Sequence, residues 1–142
     1  MSDSAPAIDR RAFVKELLRR CPDALLVTGL GSPTYDAFAA GDRDRNFYLW
    51  GAMGGAAAIG LGLALAQPEK SVLVITGDGE QLMGLGMLAT IGAQQPANLA
   101  IVVLDNGHYA ITRNGELLHE HHWPLDQLND CIDEFLKLSK PK

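Results

Sequence analysis

The sequence predicts an α/β protein built on a three-layer, doubly wound parallel sheet. Three observations carry this. Runs such as Val72-Leu73-Val74-Ile75 and Leu99-Ala100-Ile101-Val102-Val103-Leu104 are apolar without alternation, the pattern of strands covered on both faces. These runs alternate with segments whose apolar residues recur at helical spacing. Glycine turns follow the runs, at Gly29-Leu30-Gly31 and Gly77-Asp78-Gly79.

The elements follow in order. Residues 1–7 read as a disordered leader. Ile8 to Arg20 sets Phe13, Leu17 and Leu18 between charges, an amphipathic helix ended by Pro22. Leu25 to Thr28 is a short strand, then a glycine turn, then a helix starting near Pro33. Ala40 to Asn46 is a polar loop, and Phe47 to Trp50 a short strand. Gly51 to Ala66 is a helix of small residues, and Gln67 to Lys70 a turn. Val72 to Thr76 is a strand. Gln81 to Ala93 is a helix with Leu82, Leu85, Leu88 and Ala89 on one side. Gln94 to Asn98 is a loop, and Leu99 to Leu104 a buried strand. Asp105 to His122 is polar and irregular. Leu125, Leu128, Ile132, Phe135 and Leu138 then mark one amphipathic helix.

The chain has 142 residues, enough for a single domain with a core. Its net charge of −5 argues against nucleic acid, whose phosphates need clustered Lys and Arg. The basic stretches, Arg10 to Arg20 and Arg43 to Arg45, are mixed with acids and read as solvated faces. Leu49 to Ala66 runs eighteen residues without a charge, the lower limit for a membrane span. More than half of it is Gly and Ala, and it leads into a short turn and a strand, so a helix packed tightly on a sheet explains it. Cys21 and Cys131 lie in no metal or redox motif and read as reduced thiols of a cytoplasmic protein. No signal peptide is expected. His119-Glu120-His121-His122, on a loop without cysteine partners, reads as a solvated polar segment rather than a zinc site.

In parallel sheets, ligands bind beyond the carboxyl ends of the strands. Asp78, Asn106 and the Gly29–Gly31 turn fall at such ends. The glycines flanking Asp78 leave the backbone uncrowded, so its amides can face a phosphate while the carboxylate faces a cation. Asp105-Asn106-Gly107 offers an amide oxygen at the next strand end. One carboxylate, one amide oxygen, a backbone carbonyl and diphosphate oxygens make a hard-oxygen Mg2+ site. Gly-Asp-Gly and Asp-Asn-Gly are each common turns alone. Their pairing at βαβ spacing, each after an apolar strand, is the specific feature.

The stretch GDGEQLMGLGMLATIGAQQPANLAIVVLDNGHY resembles the thiamine diphosphate-binding motif. NFYLWGAMGGAAAIGLGLALAQPEKSVLVI resembles the segment just upstream of it in 2-oxo acid decarboxylases and acetolactate synthase-like enzymes. The likeness points in particular to the small (beta) subunit, or matching domain, of sulfopyruvate and phosphonopyruvate decarboxylases. It covers about Leu25 to Thr112 and implies a thiamine diphosphate-binding fold over 1–142, with 113–142 an atypical tail. The resemblance implies that Asp78, the Asn106 side chain and the His108 carbonyl bind Mg2+. It places Gly77, Gly79, Glu80 and Tyr109 at the cofactor, the Gly79 and Glu80 amides near the diphosphate. The Gly51 carbonyl would accept from the aminopyrimidine, and Met53 would support the bent cofactor from below the thiazolium. As a plain structural residue, Met53 would instead be a core methionine.

The implied activity is decarboxylation of a small 2-oxo acid, with chemistry supplied by the cofactor. The activating glutamate of this family belongs to a pyrimidine-binding domain, for which no candidate is found here. A separate partner subunit would supply it, so no catalytic residue is expected in this chain. Two features depart from the relatives. The Asp78-to-Asn106 interval is slightly long, and Arg113-Asn114-Gly115 stands where Thr-Gly-Gly-Gln or similar is usual. They leave open a degenerate, non-catalytic cofactor-binding or scaffold module. A dinucleotide-binding domain fits less well, because Gly29-Leu30-Gly31 lacks the third glycine and the acid that motif needs.

Overall fold

The computed structural model describes residues 8–106, 108–113 and 116–122. The expected leader and the helix of Leu125 to Leu138 lie outside these. The chain divides into two compact units, one ending at Leu104 and one beginning at Asp105.

The first unit is a parallel sheet with helices on both faces. Its elements are α1 (Arg10–Arg20), β1 (Leu25–Thr28), α2 (Ser32–Ala40), β2 (Asn46–Tyr48), α3 (Ala56–Ala66), β3 (Val72–Gly77), α4 (Asp78–Met83), α5 (Gly86–Gln94) and β4 (Leu99–Leu104). The strand order is β2-β1-β3-β4, all parallel, with Thr28 opposite Ile75 and Gly77 opposite Leu104. Side chains alternate across the sheet. Leu26, Leu73 and Ile75 pack with Val14, Leu18 and Ala37 of α1 and α2 on one face. Val27 and Val74 pack with Ala56, Ile59 and Leu63 of α3 on the other. The connection after β1 leads outward to β2 and the one after β3 outward to β4. The carboxyl ends of β1 and β3 therefore form the topological switch point, where ligands of such sheets dock.

Local chemistry sets the element ends. The Asp9 side chain caps α1 by accepting from the Ala12 amide at 3.0 Å. Val14 of α1 is fully buried, whereas Phe13, which the spacing put on the apolar face, is largely exposed. Asp36 of α2 is fully buried and receives Arg10 and Arg11 from α1, tying the two helices together. Asn98 donates to the carbonyls of Ala64, Gln67 and Lys70 at 2.8–3.1 Å, closing the turn between α3 and β3. Gly60 lets α3 lie flat on the sheet, since a Cβ there would stand 2.2 Å from Val74 Cγ2. Among the described residues no helix is long and apolar enough to cross a membrane.

Four expectations are corrected. The small-residue helix begins at Ala56 rather than Gly51, because Gly51 and Gly54 take φ of +77° and +88°, outside helical geometry. The helix expected over Gln81–Ala93 is two helices that meet at Gly84 and Leu85, and the first starts directly after Gly77. Its leucine face is turned outward, with Leu82, Leu85 and Leu88 all exposed. Strand β4 is half exposed rather than buried, having β3 as its one neighbour among the described residues.

The fourth correction lies in the second unit. Asp105 to His122 is not irregular: β5 (His108–Arg113) and β6 (Glu116–His122) form an antiparallel hairpin. His119, His121 and His122 therefore sit on a strand, not a loop. A register shift between Ile111 and Thr112 interrupts the ladder.

Candidate functional site

The end of β3 carries the Gly-Asp-Gly motif. Gly77 closes the strand, and Asp78 opens α4. A Cβ at Gly77 would meet nothing within 4 Å among the described residues, so this backbone can be approached by a ligand. Asp78 is partly exposed in the first turn of α4.

Beside it, the end of β1 is wired to the end of β3. The Gly29 amide donates to the Ile75 carbonyl at 2.7 Å. Thr34 Oγ1 donates to the Gly29 carbonyl at 2.8 Å and lies 2.8 Å from Thr28 Oγ1. The Glu80 side chain, 3% exposed, reaches under the turn. Its Oε2 accepts from the Leu30 amide at 2.9 Å and from Thr76 Oγ1 at 3.0 Å. Sequence reasoning valued Glu80 for its amide and did not single out Thr28, Thr34 or Thr76. A hydroxyl at the last position of β1 and at the one before the last of β3, both otherwise apolar up to there, was the available signal.

A third piece is the loop Gly51–Gly55. Gly54 and Gly84 touch backbone to backbone: a Cβ on Gly84 would stand 2.2 Å from the Gly54 carbonyl oxygen. This contact seats the loop against the break between α4 and α5, close to Met83. Met53 is 41% exposed, which removes the reading of a core methionine. A Cβ on Gly51 would meet nothing within 4 Å.

Gly51, Met53, Gly77, Asp78, Gly79 and Glu80 thus belong to two adjoining segments at one edge of the first unit. Asn106, His108 and Tyr109 belong to the second unit. The sheet places Leu104 opposite Gly77, and Asn106 follows two residues later in the chain. His108 and Tyr109 open β5, opposite His122 and His121. A partly exposed carboxylate beside open glycine backbone suits a hard cation and a phosphate, so the donors present fit a Mg2+-diphosphate group.

A concavity of about 740 Å³ lies away from this site, at the amino ends of the strands, and is lined by Arg20, Asp23, Arg45, Glu69, Lys70 and Asn98. Arg45 there is paired with Asp23 at 3.1 Å. It lies at the wrong end of a parallel sheet for ligand binding by strand-end loops.

Known proteins show which family this fold belongs to. Residues 32–129 match the family model described as the thiamine pyrophosphate enzyme, C-terminal TPP binding domain. The sulfopyruvate decarboxylase subunit beta of Methanothermobacter thermautotrophicus is 46% identical over 112 residues, which are 79% of this chain and 57% of that protein. The phosphonopyruvate decarboxylase of Streptomyces viridochromogenes is 48% identical over 105 residues, 73% of this chain and 26% of that one. A solved structure described as a thiamin diphosphate-dependent enzyme from Mycobacterium smegmatis superposes with a TM-score of 0.63 at 26% identity, over 80% of this chain and 23% of that one. The chain thus spans little more than half the length of the first and about a quarter of the other two. With 98 of its 142 residues inside that family model, the chain belongs to the thiamine pyrophosphate enzyme family, as its C-terminal TPP binding domain.

Proposed function

We propose that this chain is the diphosphate- and Mg2+-binding part of a thiamine diphosphate-dependent decarboxylase of a small 2-oxo acid, of the sulfopyruvate or phosphonopyruvate kind. The observation that carries the reading is the Gly77-Asp78-Gly79 turn at the switch point, with the Gly51–Gly55 loop seated beside it through Gly54 and Gly84. Asp78, the Asn106 side chain and the His108 carbonyl are the proposed Mg2+ ligands. Gly77, Gly79 and Glu80 offer backbone to the diphosphate, and Tyr109 lies at the same cofactor. Gly51 presents its carbonyl to the aminopyrimidine, and Met53 supports the thiazolium.

The bound cofactor would supply the electron sink for loss of CO2. The chain's own part is to anchor the diphosphate, hold the metal by oxygen ligands and present Met53 as an apolar support. The activating glutamate is assigned to a separate pyrimidine-binding subunit. Two observations support a partner. The Methanothermobacter relative is named a subunit beta. Trp50, Met53, Met83 and Leu85, on the Gly51–Gly55 loop's flank and the α4–α5 break, are exposed apolar side chains around the site, as a protein interface requires. The free thiol of Cys21 fits a reducing, cytoplasmic setting.

A degenerate module that binds cofactor without turnover is the second reading. It is favoured by Arg113-Asn114-Gly115, which departs from the Thr-Gly-Gly-Gln or similar that the family resemblance leads one to expect. One titration separates the two readings. The chain, co-purified with its partner, is titrated with thiamine diphosphate in Mg2+ and followed by tryptophan fluorescence, for which Trp50 is a suitable reporter. Saturable, Mg2+-dependent binding lost in Asp78→Ala, with CO2 release from a 2-oxo acid, is the expected result. Binding without CO2 release selects the degenerate module, and no binding refutes both.

A further inference from the structure

An acid at the position after Gly-Asp-Gly is poorly placed if the motif only receives an anion, because its charge opposes the ligand's. Its location in the fold gives it another use. The Glu80 carboxylate lies beneath the β1 turn, and a Cβ on Gly29 would stand 1.7 Å from Oε2 and 2.6 Å from Cδ. Gly29 is therefore the residue that admits the carboxylate. Oε2 takes the Leu30 amide and the Thr76 hydroxyl, joining the ends of β1 and β3 across 50 residues of chain. The turn's other holds are at Gly29, from the Ile75 carbonyl and the Thr34 hydroxyl, while Gly31 takes φ of +80° and caps α2 with no side-chain hydrogen bond. Oε1 is buried with no hydrogen-bond partner among the described residues. A buried oxygen left in that state is unfavourable, and such exceptions call for an explanation.

We propose that Glu80 is a positioning residue, whose side chain holds the Leu30 amide and so fixes the Gly29–Gly31 turn in the shape that borders the cofactor site. The inference rests on the function proposed above. It assigns the work to the carboxylate of Glu80, not to the backbone amide. The reach of the side chain matters, since one methylene less withdraws the acceptor from Leu30 while keeping the charge. An amide of the same length keeps an acceptor in place and loses the charge.

The test compares the full chain with Glu80→Asp and Glu80→Gln. Hydrogen exchange of the Leu30 amide is read without cofactor, and binding of Mg2+-thiamine diphosphate is read with the partner subunit present. Glu80→Asp should speed Leu30 exchange and weaken cofactor binding roughly tenfold each, the scale of one hydrogen bond. Glu80→Gln should stay within about threefold of wild type in both, because its side-chain oxygen still reaches the amide. Unchanged Leu30 exchange in Glu80→Asp overturns the tie. Faster exchange with wild-type affinity overturns the positioning role. Glu80→Gln as impaired as Glu80→Asp overturns the claim that reach, not charge, is what counts. A wild-type complex that binds no cofactor refutes the proposed function and the positioning role together, and Leu30 exchange still decides whether the tie exists.

Discussion

Replacing Gly84 by alanine tests how the site loop is seated. The added Cβ would lie 2.2 Å from the Gly54 carbonyl oxygen, and real Cβ atoms essentially never come within 3.0 Å of such an atom. The two backbones must therefore part by about 0.8 Å, the difference of those distances. Neither side can yield by a rotamer change, and Gly54 is already committed to φ of +88°. Overpacking of this kind costs about 1–3 kcal/mol, and a backbone obstacle places it in the upper half of that range. Gly84 has φ of −101°, which alanine adopts without strain, so reduced freedom of the unfolded chain returns about 0.4–1 kcal/mol. The net loss is about 1–2.6 kcal/mol, read as a lower urea midpoint at unchanged slope. Gly92→Ala in α5 is the control, because a Cβ there meets nothing. It should gain about 0.5–1 kcal/mol from helix propensity alone. A Gly84→Ala chain as stable as Gly92→Ala would refute the seating of the loop on the α4–α5 break.

Two further predictions concern the scaffold. Asn98→Ala leaves the carbonyls of Ala64, Gln67 and Lys70 without their shared donor. It should lower stability by about 1–3 kcal/mol in urea unfolding, and a neutral effect would show that water replaces the side chain. Glu16 is held at a pKa of about 2, against an ordinary 4.5, first by its hydrogen bond from Arg19 and then by that from Arg20. Because the folded value is the lower one, its stabilisation is complete above pH 4.5 and disappears as the pH falls toward 2. An NMR titration of the Glu16 carboxyl with its midpoint near 4.5 would disprove the pairing.

Much of the fold was legible because it rests on local patterning. The unbroken apolar runs of β1 and β3 required a sheet covered on both faces, and the two packed clusters supply that cover. Pro22, Pro33 and the Gly-Asp-Gly turn marked boundaries through backbone chemistry that any neighbourhood would show. Other features were misread because a distant segment decides them. Leucines spaced at Leu82, Leu85 and Leu88 look like a buried helix face, yet all three are exposed. The polar stretch after Asp105 gave no strand signal, yet its cross-strand register forms a hairpin.

The candidate site divides along the same line. The sequence by itself determined that an acid flanked by glycines stands at the end of a buried strand, and that Asp105-Asn106 follow the next. Chain order and residue type suffice for that, since strand ends and glycine backbone are local properties. The tertiary structure decided what those residues touch. It put the Gly54 carbonyl against Gly84, thirty residues away, where α4 ends. It put the Glu80 carboxylate under Gly29 and Leu30, fifty residues away, where spacing along the chain carries no information. Periodicity reports which face of an element a residue occupies. Only the packing of one element on another settles whether a carboxylate faces a ligand or holds the loop beside it.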